Sequence, residues 1–559
     1  MTSRVAPFAQ VAQSATLRRA QLSFGLMWAG ECAVMVALGV VAFRNGGAAA
    51  VGVITALRMV PAALMTPFAA TLADAVRREF VLVWIGLVRA VALGCAAALL
   101  ALGGPVGAVY GLAIVATVAQ TLFRPAHSAL LPALCTSPQQ LTGANLVRGT
   151  LDSVATLGGP LVAAVLLATS GPASVFAVAS VMSLVGGLVV LWLRYDPPPR
   201  AHRSAVADAR GLLRGFGSIV GDPGGLRLIT TLGTAQTFTR GALNVLLVVV
   251  AIDLLDTGAA GVGILNAAVG GGALVGSIVT FRLLRRGGLA MWLGIGVALW
   301  GLPLIVLGVV PGQLVAVALI AVIGFGNALI DVGGFTLLAR LADEAVLARM
   351  FAAFEAILTL GVAAGGLLTP LVIHLLGLRS ALVAIGCVAP AAVAVRWSAL
   401  RRLDARMRVR NADIEILHQV PMLRVLPQAT IEQLAAALEH AQIQPGRALF
   451  EQGASGEHFY VIESGSADVL RDGRTIRTLG ERDSFGEIAL LRKCARTAAV
   501  HAAADAPLRV SVLPRTAFLT AVTGYPASAT AGTQVVAAHL ARDALAASPT
   551  QPTEETGCP

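Results

Sequence analysis

The sequence predicts a mostly α-helical membrane protein: twelve transmembrane helices in two six-helix halves, then a C-terminal cytoplasmic β-roll or jelly-roll domain with flanking helices. Three observations carry this. Of 559 residues, 57% are hydrophobic and 13% charged, about half the charged share of an ordinary soluble domain, and mean hydropathy is +0.80. Apolar runs of about twenty residues, the length that crosses a bilayer as a helix, recur along the first 400 residues. After Leu400 hydropathy falls, charge rises, and the pattern changes to short strands separated by turn glycines.

Residues 1–20 form a short tail with Arg4, Arg18 and Arg19. The twelve apolar runs are 21–43, 48–73, 79–101, 105–123, 144–168, 172–194, 227–252, 259–284, 289–310, 313–338, 350–374 and 379–399. The loops between them settle orientation. Arg77 and Arg78 follow the second run, Arg124 the fourth, Arg282, Arg285 and Arg286 the eighth, and Arg340 and Arg349 the tenth. The sixth and seventh are separated by residues 195–226, which carry Arg200, Arg203, Arg210 and Arg214 and a Pro197-Pro198-Pro199 run. The opposite loops hold little more than Arg44 and Arg379. Basic loops stay on the cytoplasmic side, so both termini are expected there and the protein is expected to be multi-pass in the plasma (inner) membrane. The halves are then 21–194 and 227–400. The net charge of +11 reads as membrane orientation rather than nucleic-acid binding, because the arginines sit at the ends of apolar runs.

Ionisable groups inside apolar spans are costly and mark candidate function. Glu31, mid-span in the first run, is the first candidate for a coupling carboxylate able to load and release a proton, Asp331, closer to the cytoplasmic end of its span, is the second, and Arg240 is a candidate for an anionic substrate or for pairing with an acid. Arg58, Arg89, Asp152 and Glu355 lie near span ends and read as interhelical ion pairs. The glycines of Gly270-Gly271-Gly272, Gly276, Gly361 and Gly365-Gly366 allow close helix packing.

The tail divides into a basic linker with a helix (401–427), a ligand-binding domain (428–545) and a polar end (546–559). Arg401, Arg402, Arg406, Arg408 and Arg410 flank the last span and suit anionic lipid. Thr430 and Gln433 fit a capping box for the helix before the strands. Within the strand region, the stretch from Phe485 to Ala498 has the parts of a pocket for an anionic ribose phosphate. Gly486 lets backbone approach a ligand, Ile488, Ala489, Leu490 and Leu491 open a short helix whose N–H groups favour phosphate, and Arg496 supplies a planar fork. Glu487 is the acceptor expected for a sugar hydroxyl.

This stretch resembles the phosphate-binding cassette of the cyclic-nucleotide-binding domain family, with Pro445-Gly446, Phe450, Gly453, Gly456, Phe459-Tyr460-Val461-Ile462, Gly465 and Gly480 placed as that family places its turns and strands. Ala495 stands where many members have proline. The resemblance implies that Glu487 binds the ribose 2′-hydroxyl and that Arg496, with amides near Ala489 and Leu490, holds the cyclic phosphate. It implies cAMP as regulatory ligand, and Thr497 leaves cGMP admissible. The membrane part resembles the major facilitator superfamily. Asp74 with Arg77 and Arg78 lies where that family carries a gating motif after the second helix. Phe123-Arg124-Pro125-Ala126, Asn145 and Gly158-Gly159-Pro160 are similar to its drug- and siderophore-exporter branch and to an antiporter motif.

Together these imply a secondary active exporter of small molecules, proton-coupled, and regulated by cyclic nucleotide on its cytoplasmic tail. Two alternatives stay open: a membrane-anchored cyclic-nucleotide receptor that does not transport, and a transporter with a vestigial nucleotide domain. No enzyme activity is expected, because no nucleophile–base set, P-loop or metal-ligand spacing is present. No other cofactor is expected, and the six scattered cysteines suggest neither disulfide framework nor zinc site.

Overall fold

The computed structural model describes residues 13–75, 78–135, 138–193, 217, 221, 225–284, 288–341, 347–426, 428–524 and 526–547. The chain divides into two compact units, 1–404 and 405–559.

The first unit is helical: α1 (Ala15–Ala75), α2 (Arg78–Ala101), α3 (Val106–Thr121), α4 (Phe123–Leu134), α5 (Pro138–Thr169), α6 (Pro172–Val189), α7 (Gly225–Val249), α8 (Gly258–Leu284), α9 (Leu289–Val309), α10 (Gln313–Leu341) and α11 (Leu347–Leu376). The next helix, α12 (Leu378–Gln419), begins in this unit and contains the division between the two. Among the described residues, eleven helices are long and apolar enough to cross a membrane, against twelve expected runs. The difference lies in α1, which covers the first two runs and is broken at Gly46-Gly47. Gly47 sits at φ 59°, ψ −156°, which a side chain would obstruct. Asn45 caps the first arm by donating from Nδ2 to the Val41 carbonyl at 2.8 Å. The segment after the fourth run, expected as a loop, is the helix α4, which buries Phe123, Ala126, Leu130 and Leu131 against Phe24 and Leu82.

Lipid tails are as apolar as leucine, so helices in a bilayer associate through close packing. Here small residues sit at the crossings. A Cβ on Gly272 of α8 would overlap the Ala321 carbonyl of α10, and one on Gly365 of α11 would overlap the Phe238 carbonyl of α7. Gly52 and Gly366 meet where α1 crosses α11. Gly271, beside Gly272, has nothing nearer than Leu157 Cδ1 at 3.9 Å.

The second unit holds the end of α12, α13 (Gln428–Ala436), eight strands, a one-turn helix α14 (Glu487–Arg492), α15 (Arg515–Thr523) and α16 (Pro526–Ala547). The strands are β1 (Glu439–Ile443), β2 (Ala448–Phe450), β3 (His458–Ser464), β4 (Ala467–Arg471), β5 (Arg474–Leu479), β6 (Ser484–Phe485), β7 (Ala499–Ala502) and β8 (Leu508–Pro514). They form two four-stranded antiparallel sheets, ordered β1-β8-β3-β6 and β2-β7-β4-β5. One core cluster unites the inward residues of both sheets, among them Ile462, Phe485, Val500 and Val510. A second packs the helices on the roll, with Phe459 and Phe518 stacked at 4.5 Å. The expected polar end, 548–559, lies outside the described residues.

The crossing geometry makes a paired prediction. Gly272→Ala should destabilise the detergent-solubilised protein by roughly 1–3 kcal/mol, the usual cost of overpacking, and lower its melting temperature. Gly271→Ala should leave melting nearly unchanged, and equal effects would remove the close approach as the cause.

Candidate nucleotide-binding cleft and intramembrane charge cluster

The cassette folds as a strand, a tight left-handed residue and a short helix. Gly486 follows β6 with φ 91°, and a Cβ there would stand 2.7 Å from Arg496 Nη1 and 3.1 Å from the His458 carbonyl. Only glycine meets both demands. It starts α14 without a side-chain cap, which leaves first-turn N–H groups for other acceptors. Backbone hydrogen bonds to the Gly453-Ala454 turn fix Arg496: its N–H donates to Ala454 and its carbonyl accepts from Gly453, each at 2.9 Å.

The Arg496 guanidinium lies 4.1 Å over the Phe450 ring and 5.8 Å from that of Tyr460. Its Nη1 donates to the Gly486 carbonyl at 2.9 Å and Nη2 to the His458 carbonyl at 2.7 Å. Its Nε is buried without a partner. Burial works against the charged form and lowers the pKa of Arg496, with Tyr460, Glu487 and Glu457 opposing that shift. Glu487 is 1% exposed. Its Oε1 meets His539 Nδ1 of α16 at 2.7 Å, while Oε2 is buried without a partner. The residues lining the cleft therefore contain two donors, Arg496 Nε and Arg477 Nε, and one acceptor, Glu487 Oε2, whose hydrogen bonds are unmade. Such groups cost free energy when dry, and a ligand that accepts at Arg496 and donates at Glu487 relieves both.

The cleft encloses about 430 Å³, open solvent at its mouth included, within the usual size range of small-molecule sites. Gly486, Glu487, Ile488, Ala489, Arg496 and Thr497 all line it. Leu490 does not; its side chain is fully buried among the helices. The sequence reading missed His539 and Arg477, which also line the cleft. His539 comes from a helix 52 residues beyond Glu487, and no local pattern links the two. Phe450 was read as a fold marker and is also the platform under Arg496.

In the membrane unit, Glu31 does not stand alone. Arg58 Nη2 donates to its Oε1 at 2.7 Å and Arg89 Nη1 to its Oε2 at 2.8 Å. Arg58 Nε also donates to Thr117 at 2.7 Å, and Arg89 Nη1 to the Ala116 carbonyl at 3.1 Å. Three helices are tied together, and the pairing expected for Arg58 and Arg89 has Glu31 as its common partner. Arg124 pairs with Asp152 and lies 4.1 Å over Trp28. Asp331 accepts from Asn327 Nδ2 at 2.7 Å on an exposed face of α10, and Arg240 is exposed on α7. Of the gating set, Arg77 lies outside the described residues. Asp74 falls in α1 and Arg78 opens α2.

Comparison with known proteins agrees with this division. Residues 440–525 match the Cyclic nucleotide-binding domain family and residues 21–238 the Major Facilitator Superfamily. The cAMP-dependent protein kinase regulatory subunit of Yarrowia lipolytica is 36% identical over 118 residues, 21% of this chain and 31% of that protein. That of Schizosaccharomyces pombe is 38% identical over 88 residues, 16% of this chain and 21% of that one. The chain thus spans less than a third of these relatives. Among solved structures, a mutant of the nucleoside transporter NupG covers 69% of this chain and 100% of its own, at 14% identity and a TM-score of 0.59. A POT family transporter in complex with 5-aminolevulinic acid covers 69% and 96%, at 12% identity and 0.58. The likeness to these two is one of fold: the membrane unit has a transporter-like helical fold.

The Glu31 cluster makes a stability prediction. Glu31→Gln leaves two buried guanidiniums without their carboxylate and should cost roughly 3–5 kcal/mol, read as a lower melting temperature in detergent. Adding Arg89→Met should restore part of that loss; no recovery would mean that charge balance is not what the carboxylate supplies.

Proposed function

We propose that this chain is a secondary active transporter of small molecules, an exporter, whose C-terminal domain binds cyclic nucleotide in the cytoplasm and thereby regulates transport. The observation that carries the nucleotide part is the pair of unmade hydrogen bonds in one cleft, Arg496 Nε and Glu487 Oε2. A cyclic phosphate satisfies the first and a ribose hydroxyl the second. The family match over 440–525 and the relatives named for cAMP favour cAMP, with cGMP the rival. Supporting the transport part are the match over 21–238 and the fold likeness to transporters. We count twelve spans by taking the two arms of α1 separately, and two six-helix halves about the expected central loop, 195–226. The arginine distribution supports an inner-membrane setting with both termini cytoplasmic.

Proton coupling is assigned to Asp331 before Glu31. Both Glu31 oxygens are occupied by guanidiniums, whereas Asp331 meets a neutral Asn327. The motif at Asp74, Arg77 and Arg78 is kept as a conformational latch.

Regulation needs a ligand that contacts two states differently. Helix α16 supplies a candidate element inside the nucleotide domain. It touches the cleft through His539, and it touches the segment after α12 through Ser528, whose hydroxyl donates to the Met422 carbonyl at 2.7 Å.

Two experiments test the proposal. Calorimetry on the full chain in detergent should show cAMP binding. Arg496→Ala should weaken it by 100-fold or more, in line with about 3 kcal/mol for a charge-assisted phosphate contact. 2′-Deoxy-cAMP should bind more weakly than cAMP, with most of that difference lost in Glu487→Gln. No binding of either nucleotide at tens of micromolar sinks the sensor. Separately, flux in proteoliposomes should change several-fold on adding cAMP, as expected for couplings of about 1–3 kcal/mol. Flux that ignores cAMP in a chain that binds it removes the regulation.

A further inference from the structure

The membrane unit carries more positive charge at one buried point than its carboxylate can answer. Glu31, Arg58 and Arg89 are 6%, 5% and 0% exposed, and one carboxylate serves both guanidiniums. A guanidinium does not titrate away in a protein, so the cluster keeps at least one uncompensated positive charge whatever the state of Glu31. For a purely structural tie, one arginine would suffice. An unbalanced charge in a dry interior is a standing cost, and Arg89 adds a buried Nε and Nη2 with no hydrogen-bond partners. In a membrane segment such an arrangement marks a functional site.

A cavity adjoins the cluster. It encloses about 490 Å³, open solvent included, and Arg58 forms part of its wall. Thr55 stands beside Arg58 on α1, and Asn244 of α7 and Asn266 of α8 line the cavity too. Apolar side chains such as Met35 and Val248 fill out the lining, and no carboxylate is among the described residues that line it. The cavity is therefore apolar-walled, with one cation and a few amide and hydroxyl groups, the usual composition of a site that orients a ligand by a few polar contacts.

We propose that this cavity binds an amphiphilic organic anion, with its acidic group on Arg58 and its apolar body on the side chains around it. This rests on reading the membrane unit as a transporter and names the class of molecule it would carry. A bound anion would balance the charge that Glu31 leaves over. A cationic or neutral molecule of the same shape would not.

The test uses the full chain in lipid nanodiscs, with empty nanodiscs subtracted, and three isosteric probes: 2-naphthoate, 2-naphthamide and 2-naphthylmethylammonium. Calorimetry should show 2-naphthoate binding at least tenfold more tightly than the amide, and the ammonium binding least. Arg58→Gln should cost tenfold or more of the naphthoate affinity. Because that variant disturbs the ion cluster, Asn244→Asp is the second arm. It places a negative charge in the cavity without touching the cluster, and should weaken naphthoate and strengthen the ammonium. Equal binding of all three probes, no naphthoate binding, or an Asn244→Asp variant indifferent to probe charge would overturn the proposal. Flux in proteoliposomes separates this from the wider reading. Naphthoate bound but never moved sinks the transporter and leaves the anion site. Saturable flux of the ammonium alone does the reverse.

Discussion

A guanidinium buried on an aromatic ring, with two backbone carbonyls accepting from it and no carboxylate paired with it among the described residues, is the constraint around which the C-terminal domain is built. Arg496 holds its place through Phe450 beneath, Gly486 and His458 at its edge, and the Gly453-Ala454 turn along its backbone. Each of these comes from a different strand or turn of the roll. The fold therefore works to keep a cation where water is scarce. Carbonyl dipoles and a ring face offset part of the desolvation cost, but a full negative charge does so better. Glu487 lines the same cleft and does not neutralise Arg496; it is turned to His539. A domain arranged this way keeps acid and base apart, as a ligand offering both an anion and a hydroxyl requires.

The membrane unit meets the same physics under harsher terms. Water is absent from the bilayer core, so polar groups must find partners within the protein. Thr117 and the Ala116 carbonyl extend the Glu31 cluster for that reason. Close helix crossings supply the rest of the cohesion, because dispersion is what remains when lipid is as apolar as the side chains. Gly272 against Ala321 and Gly365 against Phe238 bring backbones into contact. Such crossings leave no room for a side chain on either glycine.

Much of this was legible in the sequence, and the reasons differ by element. The spans were readable because apolar length is a local property, and even the break at Gly46-Gly47 fell in the gap left between two runs. The cassette was readable because Gly486, Glu487 and Arg496 lie within one short stretch whose geometry is set by a glycine. What stayed hidden is what tertiary folding brings together. Glu31, Arg58 and Arg89 sit on three separate spans, so the sequence offers three isolated charges and no hint that two share the third. His539 was invisible for the same reason, since a histidine on a polar helix carries no sign of the carboxylate it will meet. From sequence, helix α4 reads as a loop because Pro125 and Pro132 mark breaks, yet Pro125 falls in the first turn of the helix, where a missing N–H costs no helical hydrogen bond.

A sensor domain needs an element whose position depends on whether the cleft is filled, and α16 has the required connections. One oxygen of Glu487 is committed to His539 and the other is left over. On the proposed reading, a ribose hydroxyl at the second oxygen would withdraw electron density from the first and so weaken its hold on His539. Further along the same helix, Ser528 is fully buried and bonded to the Met422 carbonyl, so α16 cannot shift at one end without pulling on the segment around Met422. That segment packs with Leu423, Leu426 and Phe518 in the helical core, and cores packed at protein density transmit displacement rather than absorb it. Differential contact of this kind is what allows a ligand of modest size to bias a conformational equilibrium. In the proposed regulation the histidine and the serine on α16 are the two ends of that element, and within the second unit one helix joins the cleft to the segment around Met422.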